Sequence, residues 1–453
     1  MQTQVMPGCE VSVPLLKRSL GRLKKFMRRY APCFPRSETV KNAGLVVEGL
    51  LSDLPRKTVE PIAEFHGLER RALQKFVGWS PWDDDLVTEA IRTHVDEAWG
   101  APNGLLVIDP STFPKQGDDS VGVGRQWCGR LGKVDNCQKG VYLGYVSPRG
   151  AALVDRALYL PEDWAGDGKR RAKCYVPKDV EFRKSWEIAA ELVERSRSLP
   201  HAFVVGDDEF GRASEFRDLL DERGERYVLD VPSNTLVRSR GGEWLKASEW
   251  AKLRGKGSWC RCHIRDGARG PILAQATVAE VQTKRGQAAG PWERVLVLRT
   301  LDKVPEWRFC LSNAPRDVPL GELVRAAGGR HDIEEVFARA KGYVGLAQYE
   351  VRSWVGWHHH MTLCMLALWF LELERVRLGG KNPGNHVAAD SVRHSAARMR
   401  PGCRLGEPGD KNREAPLTHR EGASVSMGAG GSYAACAWTE PASDSGGEAM
   451  TQP

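Results

Sequence analysis

"FVVGDDEFGR", residues 203–212, sets three apolar residues and a glycine directly before Asp207, Asp208 and Glu209. A run this short and this apolar reads as a buried strand. Closing it on three adjacent acids crowds like charges, which a fold tolerates only where something offsets their repulsion. A bound cation and a solvated loop are both open readings of the triplet. The same ending occurs upstream, where "GLLVID", 104–109, is a second short apolar run that closes on Asp109. Side by side in one sheet, the two strands would bring Asp109 and Asp207 to a common edge. Two carboxylates plus substrate phosphate oxygens are a usual way of holding Mg2+. Phosphoryl transfer with two ions, ~3.5–4 Å apart, calls for a further acid.

The segment "RHDIEEVFARAKGYVGL", 330–346, offers that acid on a helix. Ile333, Phe337, Ala340 and Val344 recur at helical spacing and make an apolar face. Arg330, Glu334 and Lys341 fall on an adjacent stripe, so that one carboxylate is flanked by cations. A metal-binding acid between phosphate-holding cations has this pattern, and so does an exposed ion pair worth ~0.3–0.5 kcal/mol.

The rest of the chain supplies the frame. Its 453 residues leave room for two or three domains, and 41% apolar content is enough for a core. Lys and Arg number 66 against 58 Asp and Glu, a net charge of +8 that suits a nucleic-acid partner without demanding one. Eleven scattered cysteines form no closed disulfide framework and read as reduced thiols of a cytosolic protein. The N-terminus lacks the apolar stretch of a signal peptide. The longest apolar run, "MTLCMLALWFL", 361–371, is ended by Glu372, well short of the ~20 residues of a membrane span, and reads as part of a buried helix over 359–377.

Residues 15–30 carry Leu16, Leu20, Leu23, Met27 and Tyr30 on one helical stripe and seven Lys or Arg elsewhere. A basic amphipathic helix of this kind can lie on DNA phosphates or an anionic membrane, or pack as a core helix with a solvated back; with 38–98 it makes an N-terminal helical region, 1–100, read as DNA-binding. Strands then run at 104–109, 140–147 and 151–160, a helix at 185–197 and a strand at 203–207, a mixed α/β layer placed at 101–224. Short strand-like runs beginning with "RYVLDV" fill a β-rich insertion, 225–312. Helices resume over 313–377, and the Gly-, Pro- and Ser-rich tail, 378–453, reads as disordered.

"VIDPSTFPKQG", "SVGVGRQWCGRLGKVDNCQKGVYLGYVS", "LYLPEDW", "VVGDDEFGR" and "IEEVFARAK" resemble, in order, the blocks of bacterial insertion-sequence transposases of the DDE superfamily. In the branch concerned, a β-rich insertion separates the second Asp from the Glu. The resemblance implies an RNase H-like mixed sheet flanked by helices, and DNA strand cleavage and transfer at the ends of the element. By position it assigns Asp109, Asp207 and Glu334 as catalytic and metal-binding, with two Mg2+ ions, or Mn2+ in their place. It gives Arg330 and Lys341 to DNA phosphates. Two positions depart from the pattern: Pro110 stands where a second acid is frequent, and Ala327 where a Tyr is usual.

Lys115, Arg125, Arg130 and Lys133, between the first two strands, are further candidates for gripping the DNA backbone. The implied partners are double-stranded DNA, as terminal inverted repeats and target, and a second copy in a synaptic dimer at the bacterial nucleoid, with no membrane. His358–His360 and the insertion tryptophans Trp250 and Trp259 read as packing before metal or base contacts. A catalytically inert DNA-binding derivative and another Mg-dependent nuclease remain open as alternatives.

Overall fold

The structure is a computed structural model that describes residues 18–267 and 270–379. Leu16, at the head of the amphipathic stripe, and the tail beyond 379 lie outside the described residues.

Among the described residues five helices come first: α1 (Ser19–Tyr30), α2 (Ser37–Leu51), α3 (Val59–Phe65), α4 (Arg70–Gly78) and α5 (Asp84–Trp99). In α1 the stripe is inward, with Leu23, Phe26, Met27 and Tyr30 buried, while Lys24, Lys25, Arg28 and Arg29 face out. Strands β1 (Leu105–Pro114), β2 (Gly124–Cys128), β3 (Lys133–Ser147) and β4 (Gly150–Leu158) follow, then α6 (Ser185–Arg195), β5 (Phe203–Gly206), α7 (Ser214–Glu222) and β6 (Tyr227–Asp230). The strands run in the order β4-β3-β1-β5-β6. The pairs β4/β3 and β3/β1 are antiparallel, and β1/β5 and β5/β6 parallel. This is the RNase H-like arrangement. Leu105 to Ile108 and Phe203 to Gly206 are all buried, the continuous apolar run that a central parallel strand requires because helices cover both faces.

Three strands are longer or placed differently than apolar runs suggest. β1 continues past Asp109 to Pro114, and β3 starts at Lys133, because β2 pairs with the early half of β3 in a projecting hairpin of mixed polarity. β6, the run grouped with the insertion on composition, is the third parallel strand of the core, with Val204–Gly206 paired to Tyr227–Leu229. Its four residues alone could not tell core from insertion.

The β-rich segment comprises β7 (Leu236–Arg238), β8 (Leu245–Lys246), β9 (Cys260–Gly267), β10 (Gly270–Arg285), β11 (Ala288–Thr300) and β12 (Trp307–Ser312). It extends the core sheet, since β12 pairs antiparallel with β6 at Cys310–Asp230 and Leu311–Leu229. It has its own apolar cluster around Val237, Trp250, Val281, Val297 and Leu311. Trp250 is buried there, and Trp259 packs edge-on against Trp307.

Two long helices close the fold, α8 (Leu320–Tyr343) and α9 (Trp354–Arg377). α8 lies on β1, β3, β4 and β5, burying Ile333, Val336, Phe337 and Ala340. Its approach depends on Gly329, where an added Cβ would stand 2.3 Å from Leu105 Cδ1. Glycine in mid-helix costs roughly 1 kcal/mol relative to Ala. Here it lets α8 sit directly on β1, one residue before Arg330.

Nearly all of α9 is buried, including His359, which stacks on Trp82 with ring centroids 3.8 Å apart. The helix runs on past Glu372, where the apolar run ends, to Arg377. That carboxylate is wholly buried between Arg339 Nε of α8 at 2.5 Å and Arg375 Nε at 2.8 Å, so the acid serves as an internal tie. A second buried tie fastens the N-terminal helices to the sheet: Asp155 of β4 takes Arg92 of α5 and Arg195 of α6, each at 2.9 Å. No described helix is long and apolar enough to cross a membrane.

Candidate active site

The last register pairs of the parallel strands are Ile108 with Gly206 and Gly206 with Leu229. One step further along each strand stand Asp109, Asp207 and Asp230. The parallel pairing of three neighbouring strands therefore gives way to a row of aspartates, where in-register residues of a parallel sheet project to the same face; β1 itself runs on to Pro114 against β3. Open α/β sheets place ligands outside the carboxyl ends of their strands, as here.

The quoted triplet resolves into three different roles. Asp207 caps the one-turn helix Asp208–Gly211, its Oδ1 accepting from Glu209 N at 3.1 Å. Asp208 pairs with Arg212 and Glu209 with Lys139. Each of the two outer acids thus has a cation of its own, and only Asp207 is left to the row. The turn after them is tight: a Cβ on Gly211 would fall 1.8 Å from the Asp230 carbonyl oxygen, so a side chain there would drive β6 and Asp230 out of place.

From α8, Arg330 reaches over this edge. Its Nη1 is 3.0 Å from Asp230 Oδ2, its Nη2 3.1 Å from Glu334 Oε1, and its Nε 3.6 Å from Asp109 Oδ1. The first two are hydrogen-bonding distances and the third is only an ion pair. His331 flanks Glu334 at 3.4 Å, with its other ring nitrogen 3.4 Å from Glu335. That contact first, and Arg330 next, hold the Glu334 carboxyl below its usual range. Asp109 behaves oppositely. Burial, reinforced by the charges of Asp207 and Glu334 and opposed by Arg330, pushes it up to about 7. Burial with the neighbouring Glu209 and Asp208 raises Asp207 to about 6, again against Arg330. Carboxylates that press on one another in this way are short of positive charge.

The geometry gathers Asp109, Asp207, Glu334 and Arg330 at one edge. Lys341, two turns on from Glu334, is within electrostatic reach of Asp109 and of Arg130, and burial lowers its ammonium. Arg130 and Lys133 project from the β2–β3 turn and Arg125 from β2, all exposed, with Lys133 3.0 Å from Asp135. Lys115 turns inward, its ammonium 3.4 Å from the centre of the Tyr349 ring, and burial lowers it to about 8.

The sequence reading missed Asp230 and Arg308. Arg308 of β12 donates from Nε to Asp230 Oδ1 at 2.7 Å, and Cys310 Sγ reaches the same oxygen at 3.2 Å. A signal was available: "YVLD" ends a short apolar run in Asp just as the "LLVID" and "FVVGD" runs do, but its place among other strand-like runs hid it.

Among the described residues no three His, Cys, Asp or Glu side chains stand close enough together to hold an ion as placed; the Arg330 guanidinium reaches into the space they share. The donor chemistry nonetheless suits a hard divalent cation. Every candidate ligand is a carboxylate, and the raised Asp109 and Asp207 carboxyls are those a cation would neutralise.

Residues 29–296 match the family described as DDE superfamily endonuclease. That span holds Asp109, Asp207 and Asp230 and ends before Glu334. A probable transposase for insertion sequence element IS701 from Microchaete diplosiphon is 28% identical to this chain over 240 residues. The alignment takes in 51% of the chain and 59% of that protein, so the chain matches about three fifths of the relative's length.

Proposed function

Because this chain belongs to the DDE superfamily of endonucleases, we propose that it is the transposase of a bacterial insertion sequence, cutting and rejoining DNA strands at the ends of its own element. The observation that supports this most is that Asp109 and Asp207 follow the last register pair of β1 with β5, with Glu334 carried to the same place by α8. The similarity to a protein named as a probable insertion-sequence transposase points the same way.

In this reading Asp109, Asp207 and Glu334 hold two Mg2+ ions, or Mn2+. When bound, such ions activate the attacking oxygen and stabilise the leaving one in an in-line displacement at phosphorus. The protein's own groups do the rest. The raised Asp109 and Asp207 carboxyls give up protons as the cations arrive, because ligating carboxylates must be ionised. Arg330, still held by Asp230, would offer a DNA phosphate the donors now directed at Asp109 and Glu334, its fork being matched to that group. Lys341 adds a point charge on the same helix.

Arg125, Arg130 and Lys133 on the exposed hairpin, with Lys115 behind them, follow the backbone of the bound duplex. The helical region 1–100 contacts the terminal repeat, and two copies pair two ends in a synaptic complex at the nucleoid. No nucleophilic side chain is required, since water and then a 3′-hydroxyl attack directly.

The test is strand cleavage by the full chain on linear DNA carrying the repeats that flank its gene. With Mg2+ the account expects nicks at the repeat boundary, abolished by chelation and restored by added Mg2+ or Mn2+. Cleavage that persists in chelator, or no preference for repeat-bearing DNA, contradicts it.

A further inference from the structure

Asp230 is not a metal ligand in the scheme above, yet it stands in the same row as Asp109 and Asp207 and is only 8% exposed. It is the meeting point of two guanidiniums: Oδ1 takes Arg308 Nε at 2.7 Å and Oδ2 takes Arg330 Nη1 at 3.0 Å. Arg308 is anchored a second time, by Nη1 donating to Ala327 O on α8 at 2.5 Å. Arg330 is not so anchored. Its other contacts are to Glu334 and, loosely, to Asp109, and its Nε finds no hydrogen-bond acceptor among the described residues.

Arg330 therefore competes with any cation for two of the three acids. A buried charge left without a partner is costly, so Arg330 can give up Asp109 and Glu334 only if another anion keeps hold of it. Asp230 is that anion, and its two oxygens are already taken by Arg308 and Arg330.

We propose that Asp230 is a positioning residue, which retains Arg330 through Nη1 so that Asp109 and Glu334 can be yielded to divalent cations. This rests on the metal-dependent reading above. Without Asp230, the guanidinium would fall wholly on Asp109 and Glu334 and oppose metal entry.

The experiment is a double-mutant cycle on the full chain without DNA, reading free Mn2+ by its electron paramagnetic resonance signal during titration. Asp230→Asn is expected to weaken Mn2+ binding about tenfold, whereas in an Arg330→Gln background the same change costs less than about twofold, because its effect runs through Arg330. A purely structural role, or a general loss of negative charge, would cost the same in both backgrounds and overturn the proposal. So would unchanged affinity in Asp230→Asn. Where circular dichroism shows Asp230→Asn to be unfolded, Asp230→Ser completes the same cycle.

Asp109→Asn separates this idea from its premise. If Asp109→Asn and the parent chain bind Mn2+ alike, the metal reading falls and this inference with it. If Asp109→Asn loses Mn2+ and Asp230→Asn does not, only the present inference falls.

Discussion

Glu334→Gln is expected to lower cleavage of repeat-bearing DNA at least about a thousandfold, since on the proposed metal-binding role of Glu334 its loss removes several kcal/mol of transition-state stabilisation at about 1.4 kcal/mol per tenfold. The substitution preserves shape and replaces an anionic donor by a neutral amide oxygen, a poor ligand for a hard cation. Glu334 is also the partner of Arg330 at 3.1 Å and of His331 at 3.4 Å, so its charge is engaged on the cleft side of α8. DNA binding should survive. In the proposed reading attraction to phosphates comes from Arg330, Lys341 and the hairpin cations, and removing a negative charge from among them does not weaken it. Single-turnover cleavage of labelled DNA, with anisotropy for affinity, reads both quantities. Cleavage within tenfold of the parent chain would remove Glu334 from the proposed site.

Glu372→Ala should cost about 3–5 kcal/mol of stability, the typical price of deleting one partner of a buried ion pair. The carboxylate is fully buried and Arg339 is 6% exposed, so the guanidinium cannot turn to water when its anion goes. Among the described residues the ion pair left to Arg339 is a longer one, with Glu335 at 3.4 Å. The tie joins α9 to α8 below the segment that carries Glu334, so its loss loosens the floor of the site as well as the core. Urea unfolding should show a lower midpoint at unchanged slope. A loss under about 1 kcal/mol would mean that the helices hold together by apolar packing alone.

Much of the core was legible because its strands are buried on both faces. "LLVI" and "FVV" have no polar interruptions, and each stops at the acid that reaches the edge. The stripe of Ile333, Phe337 and Ala340 predicted the buried face of α8, and with it the side on which Arg330 and Glu334 emerge. What escaped has two causes. The first is partnership across the sheet. β6 looks like an insertion strand until its pairing with β5 is known, and Asp230 and Arg308, 78 residues apart, meet only because β12 returns to pair with β6. The second is burial of charge. Glu372 reads as the polar end of an apolar run, and only the approach of Arg339 from another helix turns it into an interior residue. Lys115 belongs here too: sequence places it beside the site, and the ring of Tyr349 draws it inward.

The central claim is that Asp109, Asp207 and Glu334 share divalent cations. Its most direct test is a crystal of the full chain soaked in Mn2+, with the metal located by anomalous scattering. The account predicts anomalous peaks in contact with the Asp109 and Asp207 carboxylates and with Glu334, and Arg330 drawn away from Asp109. Peaks confined to other carboxylates, or none at saturating Mn2+, would contradict it.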